Sequence, residues 1–204
     1  MPGELGVFGV DDDSPLYRQL PLYLAELQSW NRKMNLTGPD RGDFRERHVN
    51  DCLAAYPVIR SLKPETVADV GTGAGLPGLL LAMVMPESNV LLIEKSPKKC
   101  GFLRHVVSVC GMGNVRIYNG RVGELSEKVD LVTFRAVSPL DPEFVGELKG
   151  LCGPATRVVA YKGRREKINS ELESIKGLIG KIEILPLTVP GLSEERHLVL
   201  FSMS

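Results

Sequence analysis

The chain is poor in the residues from which metal centres and crosslinked scaffolds are made. Its 204 residues include four cysteines and three histidines. Cys52, Cys100, Cys110 and Cys152 form no C-x-x-C zinc or redox pair, and too few histidines remain to complete a ligand cluster. They read as reduced, buried thiols of a cytosolic protein, with no metal expected. Net charge is lacking too, since 25 Lys and Arg balance 25 Asp and Glu. Nothing global attracts a polyanion, so any nucleic-acid contact must come from a local patch. The longest apolar run, residues 79–85, falls well short of the ~20 residues that span a bilayer. The opening residues show no basic-then-apolar leader pattern and run into Asp11, Asp12 and Asp13. A cytoplasmic protein without a membrane partner is expected.

What remains is an ordinary globular composition, 43% hydrophobic and 25% charged, which supports a core without a disulfide or metal staple. From residue 14 to about 30, apolar side chains recur at Leu16, Leu20, Tyr23, Leu24, Leu27 and Trp30, at the three-and-four spacing of one helix face. Ser14 before Pro15 reads as a cap before a first-turn proline, and Trp30 reads as core. A second helical stretch covers about 44–62, kinked or divided at Pro57. The expected division is a helical cap over 1–62 and a core domain over 63–204. In the core, short β-rich runs at 67–70, 90–93, 115–118, 131–134, 157–161, 182–185 and 198–201 alternate with helical stretches at 76–85, 97–110 and 141–151. That order predicts an α/β fold, a seven-stranded, mostly parallel sheet covered on both faces, its last two strands reversed as an edge hairpin. No heptad or exposed apolar stripe calls for a dimer, and a monomer is expected.

Directly after the first strand stand Asp69, Val70, Gly71, Thr72, Gly73, Ala74 and Gly75, and Leu76 opens a helix. Alternate glycines allow a sharp turn and close approach of a ligand to the backbone, and the helix start behind them favours an anion. Glu94 ends the second strand, where an acid can accept bonds from two ribose hydroxyls. Residues 73–78 match the dinucleotide pattern G-x-G-x-x-G formally, but that pattern starts directly after the strand. Counted from Gly71, its sixth position is Leu76 rather than a small residue. The acid followed by three spaced glycines fits the class I methyltransferase signature, with S-adenosylmethionine as cofactor.

Two acceptor chemistries lack their devices. Methylation of a pyrimidine C5 uses a cysteine nucleophile, usually after proline, and no cysteine here follows one. Methylation of an exocyclic amine usually uses an Asp/Asn-Pro-Pro-aromatic turn after the fourth strand, where this chain has Phe134-Arg135-Ala136-Val137. A ring nitrogen with a free lone pair, such as guanine N7, needs neither, only alignment.

The segments 31–37 (NRKMNLT), 47–53 (RHVNDCL) and 67–77, together with Arg135-Ala136, Lys162-Gly163 and Arg196-His197-Leu198, occur in order and resemble the RsmG (GidB) family of bacterial 16S rRNA guanine-N7 methyltransferases. The resemblance implies a class I methyltransferase (Rossmann-like) fold and a guanosine of 16S rRNA, or of the small ribosomal subunit, as acceptor. Expected cofactor residues are Gly71, Thr72, Gly73, Gly75, Leu76, Glu94, Arg121, Val122, Gly123 and Arg135. Where Gly123 stands the family carries an acid beside the adenine, so backbone groups of Gly123 or the carboxylate of Glu124 must serve there. Cys52 replaces a small hydroxyl residue, a difference read as incidental. Arg135, after the fourth strand, is the expected positioning residue of catalysis, with no general base.

Three basic clusters survive the neutral total: Arg41, Arg45, Arg47 and His48; Lys95, Lys98, Lys99, Arg104 and His105; and Lys162, Arg164, Arg165 and Lys167. Placed after strands, they form an expected phosphate track. Asn35, Thr37, His48, Lys98, Lys99, Lys162, Arg164 and Arg165 are the candidate RNA residues. His48 and Asp51, three apart, either bond each other or serve the acceptor pocket. The same sheet also suits a small-molecule or protein methyltransferase, or a non-catalytic RNA-binding assembly factor.

Overall fold

The computed structural model describes residues 5–37 and 44–204. Arg41 of the first basic cluster, with Asp40 and Asp43 beside it, lies outside the described residues. Seven strands form one sheet in the order β3-β2-β1-β4-β5-β7-β6. They are β1 (Thr66–Val70), β2 (Asn89–Glu94), β3 (Val115–Asn119), β4 (Val129–Arg135), β5 (Cys152–Lys162), β6 (Ile179–Leu187) and β7 (Arg196–Met203). Their alternation sorts side chains between two cores. Val67, Val90, Leu92 and Leu131 join one apolar cluster, while Ala68, Leu91, Ile93, Val132 and Phe134 join the other, as a two-residue period requires.

The longer helices covering the first face are α1 (Leu16–Met34), α4 (Gly78–Val84) and α5 (Pro97–Cys110). Leu16, Leu20, Tyr23 and Leu27 of α1 share their cluster with Leu79, Leu80 and Phe102. Ser14 Oγ accepts from Leu16 N at 3.3 Å, and Pro15 already has helical angles. Trp30 packs on Phe102 with ring centroids 5.6 Å apart. At seven residues, α4 is too short to persist alone. Every one of its residues is buried, and at ~1.5–3 kcal/mol per large apolar side chain that burial outweighs nucleation. The expected 44–62 helix is divided. A wide π-helical turn, Arg45–Asn50, runs into α2 (Asp51–Leu53), and α3 (Tyr56–Ser61) restarts with Pro57 in its first turn.

The second face carries α6 (Pro142–Glu147) and α7 (Arg165–Ile175). Asp141 Oδ1 caps α6 by accepting from Phe144 N at 2.9 Å, and a tight turn at Leu148–Gly150 ends the stretch expected to be helical to 151. Helix α7 was not expected, because its start reads as a basic cluster. Ile168, Leu172 and Ile175 nevertheless bury one face.

The expected reversal of the last two strands needs correcting. β7 runs antiparallel to both β5 and β6, so β6 is parallel to the rest and β7 alone is reversed. The helical crossover through α7 delivers β6 in the parallel sense one place beyond β5, and β7 returns into the gap. Arg196 and His197, at the start of β7, therefore lie at the same sheet edge as the carboxyl ends of β1, β2, β4 and β5, with His197 in register with Lys162.

Candidate active site

Two clefts open along that edge, on either side of a short partition. The first, about 520 Å³, is bordered by Val70, Gly71, Glu94, Arg121, Val122 and Phe144. Gly71, Gly73 and Gly75 all have positive φ, at 65°, 60° and 92°. A Cβ on Gly71 would lie 2.6 Å from a Val137 methyl, so glycine is required by both torsion and contact. The turn is tied to β2, with Gly71 N and Thr72 N both donating to Ile93 O at 2.8 and 3.1 Å. Glu94 Oε2 accepts from Gly73 N at 3.1 Å and Oε1 from Ser96 N at 2.8 Å. Each oxygen keeps a free lone pair for a hydroxyl. Beneath the turn, Asp69 Oδ2 accepts from Thr72 Oγ1 at 2.5 Å and Gly78 N at 2.8 Å. Its Oδ1 is buried without a partner among the described residues. Burial lifts its pKa to about 7 against the lowering effect of those two bonds.

The second cleft, about 420 Å³, is bordered by Asp51, Arg135, Tyr161, Lys162, Arg164 and Arg196, among others. Its wall is a charge network centred on Asp51. Arg135 Nη1 donates to Asp51 Oδ2 at 3.1 Å and to Arg47 O at 3.1 Å, while Arg196 Nε donates to Asp51 Oδ1 at 3.0 Å. Arg135 Nη2 lies 3.0 Å from His48 Nδ1. A guanidinium only donates, so His48 Nδ1 carries the lone pair and its proton sits on Nε2. The side chains of Asp51 and Arg135 are 5% and 17% exposed, dry enough for the pair to resist screening. Burial opposes the Arg135 charge, but Cys52 and Asp51 outweigh it and its pKa lies above the ordinary guanidinium value. Across the cleft, Lys162 Nζ pairs with Glu171 Oε2 at 2.6 Å, and Leu140 N donates to the same oxygen at 3.0 Å.

Ala136, Val137 and Ser138 border both clefts and so form the partition. Ala136 sits at φ 54°, and Lys162 Nζ reaches Ser138 O at 3.4 Å.

Of the expected cofactor residues, Gly71, Glu94, Arg121 and Val122 border the first cleft. Thr72, Gly73, Gly75 and Leu76 shape the turn behind it, and Gly123 stands on the neighbouring turn. Arg135 borders the second cleft. Glu124 is tied back to its own turn and to β3, its Oε2 accepting from Arg121 N at 3.1 Å and Tyr118 Oη at 3.0 Å. Of the RNA candidates, Lys99 borders the first cleft and Lys98 is exposed beside it. Lys162 and Arg164 border the second, and Arg164 and Arg165 line the groove outside it. Asn35, with φ 49°, ends α1, and Thr37 N donates to Asn31 Oδ1 at 3.1 Å. His48 and Asp51 meet through Arg135. Sequence reasoning missed Arg196 and Glu171 as site residues. No spacing in the chain links Arg196 to the site, and Glu171 sits on α7, the helix that was not expected.

The glycine turn, the β2 acid and the strand order define a class I S-adenosylmethionine-dependent methyltransferase. Among solved structures, a methyltransferase from Aquifex aeolicus superposes with TM-score 0.56 at 20% identity, over 79% of this chain and 93% of that one. A fibrillarin from Aeropyrum pernix, solved with natively bound S-adenosyl-L-methionine, superposes with TM-score 0.52 at 14% identity, over 67% and 66%. The sequence model of GidB, described as rRNA small subunit methyltransferase G, matches residues 16–199, and the chain belongs to that family. Proteins named ribosomal RNA small subunit methyltransferase G are 37% identical in Wolinella succinogenes, over 85% of this chain and 88% of that one, and 33% identical in Borrelia garinii subsp. bavariensis, over 90% and 88%.

Proposed function

We propose that the chain methylates N7 of a guanosine in small-subunit 16S rRNA by in-line displacement, with no covalent enzyme intermediate. The observation that carries this reading is the pair of clefts meeting across Ala136–Ser138, one lined by a glycine turn and an acid, the other by arginines. The first cleft fits the cofactor. A Cβ at Gly71 would collide with Val137 on its wall, Glu94 keeps lone pairs for two ribose hydroxyls, and Val122 and Phe144 offer an apolar slot for a purine ring. In this reading Gly71, Thr72, Gly73, Gly75 and Leu76 hold the amino-acid end, Glu94 the sugar, and Arg121, Val122 and Gly123 the base. When bound, S-adenosylmethionine supplies a methyl group activated by its sulfonium centre.

This chain's own residues contribute placement. Arg135, braced by Asp51, His48 and the Arg47 carbonyl, presents a fixed cation where the guanine enters. N7 has its own lone pair, so no base is required, and alignment alone can lower the barrier by about 7–11 kcal/mol. Lys162, tied to Glu171 and Ser138, sets the partition. Lys98, Lys99, Arg164 and Arg165 take RNA phosphates, and Asn35, Thr37 and His48 flank the acceptor from residues 1–62, a cap over the 63–204 core. Among the described residues no helix is long and apolar enough to cross a membrane; a cytoplasmic monomer is part of the same proposal.

Incubating the protein and labelled S-adenosylmethionine with undermethylated small subunits, then mapping the product, tests the reading. Label in a single 7-methylguanosine supports it. Label confined to protein, to small metabolites or to another base atom rejects it.

A further inference from the structure

We propose that Glu147 reads the 6-amino group of the cofactor's adenine, an inference that rests on the placement of the cofactor in the first cleft. An adenine amine has two N–H donors and no lone pair to offer, so a site that selects it must present an acceptor. Glu94 divides the cleft. The glycine turn lies on one side, and on the other lie Gly120, Arg121 and Val122, with Phe144 and Glu147 of α6 facing them. That far end is where the base of a nucleoside anchored through its sugar at Glu94 must lie.

Five carboxylates stand around this end, and three already accept hydrogen bonds that fix where they point. Glu94 holds Gly73 N and Ser96 N. Glu124 holds Arg121 N and Tyr118 Oη. Asp141 caps α6 through Phe144 N. Glu143 and Glu147 border the cleft with no hydrogen bond among the described residues, and they differ in burial. Glu143 is exposed, whereas Glu147, one turn further along α6, is half-buried beside the Val122–Glu124 turn. The site a Gly123 Cβ would occupy lies 3.6 Å from Glu147 Cγ and 3.9 Å from its Oε1. Residue 123 has no side chain, so none stands against the Glu147 carboxylate at that position of the turn. The acid thus approaches from the helix opposite a turn that has no side chain of its own at this position.

The test is calorimetric and needs no turnover. S-adenosylhomocysteine and its analogue with hydrogen in place of the 6-amino group are titrated into the wild-type protein, Glu147→Gln and Glu147→Ala. The wild type is expected to prefer the amine by about tenfold, the usual scale for one charge-assisted bond. Glu147→Ala is expected to bind both compounds alike by weakening only the amine-bearing one, with Glu147→Gln intermediate. Full discrimination retained in Glu147→Ala, or none in the wild type, overturns the proposal while leaving the cofactor site standing. Failure of the wild type to bind either compound overturns the cofactor placement itself, and this inference with it.

Discussion

At the glycine turn the working parts are main-chain amides, set by three left-handed glycines and tied to β2 through Ile93 O and Glu94. Across Ala136–Ser138 they are side chains, and Asp51, Arg135, Arg196, Lys162 and Glu171 hold one another by charge. The difference sets what each side tolerates. The backbone-built cleft has no room for a Cβ at Gly71 or Gly75, where one would fall 2.6 Å from Val137 and closer still to Leu79. The side-chain-built cleft cannot lose a charge without stranding its partner.

The largest expected effect is on the charged side. Asp51→Ala leaves two guanidiniums without their shared carboxylate and is expected to cost about 3–5 kcal/mol in urea unfolding. A loss below about 1 kcal/mol, the range of a surface pair, would mean the network is solvated rather than structural. Next comes Gly71→Ala, which combines a left-handed torsion worth about 1–2 kcal/mol with a methyl 2.6 Å from Val137. Calorimetry should show S-adenosylhomocysteine binding weakened by about tenfold or more, and Val137→Ala added to it should restore part of the loss. No restoration would show that torsion alone matters.

A third prediction concerns the buried acid beneath the turn. Burial raises the folded pKa of Asp69 to about 7, above the unfolded value of about 4. The native state therefore holds this proton more tightly. The resulting stability is complete below about pH 4 and is lost as pH rises through about 7, at up to ~1.4 kcal/mol per pH unit. Asp69→Asn, which keeps an acceptor for Thr72 and Gly78, should remove that slope. Parallel stability–pH profiles for the two proteins would contradict it. The smallest effect is expected outside the second cleft. Arg164→Glu with Arg165→Glu should flatten the dependence of log K on log salt for 16S rRNA by about 1.4, at ~0.7 per phosphate contact to single strands. An unchanged slope would remove both residues from the RNA surface.

The same contrast explains what could be read from the chain. Gly71 to Gly75 and Glu94 could be placed from sequence because a turn and the following strand end are local, and glycine meets left-handed torsions at the least cost. The parallel sense of β1 to β5 followed from apolar runs that mostly alternate with helical stretches. The position of β7 did not, since a strand that returns into a gap has the same local pattern as one at an edge. Helix α7 was hidden by the charged residues at its start. Arg196 and Asp51 are 145 positions apart in the chain, and no spacing rule joins them. Between Gly123 and Glu124 the chain offers no choice by spacing, and the bonds of Glu124 Oε2 to Arg121 N and Tyr118 Oη depend on a fold-level meeting of the turn with β3.

The central claim is that donor and acceptor are held by separate clefts, with Arg135 belonging to the second. Titrating S-adenosylhomocysteine into Arg135→Ala tests it most directly. The account predicts an affinity within about threefold of wild type, a difference below ~0.7 kcal/mol, in a protein that no longer methylates rRNA. A weakening of about tenfold or more would place Arg135 on the donor side and contradict the division.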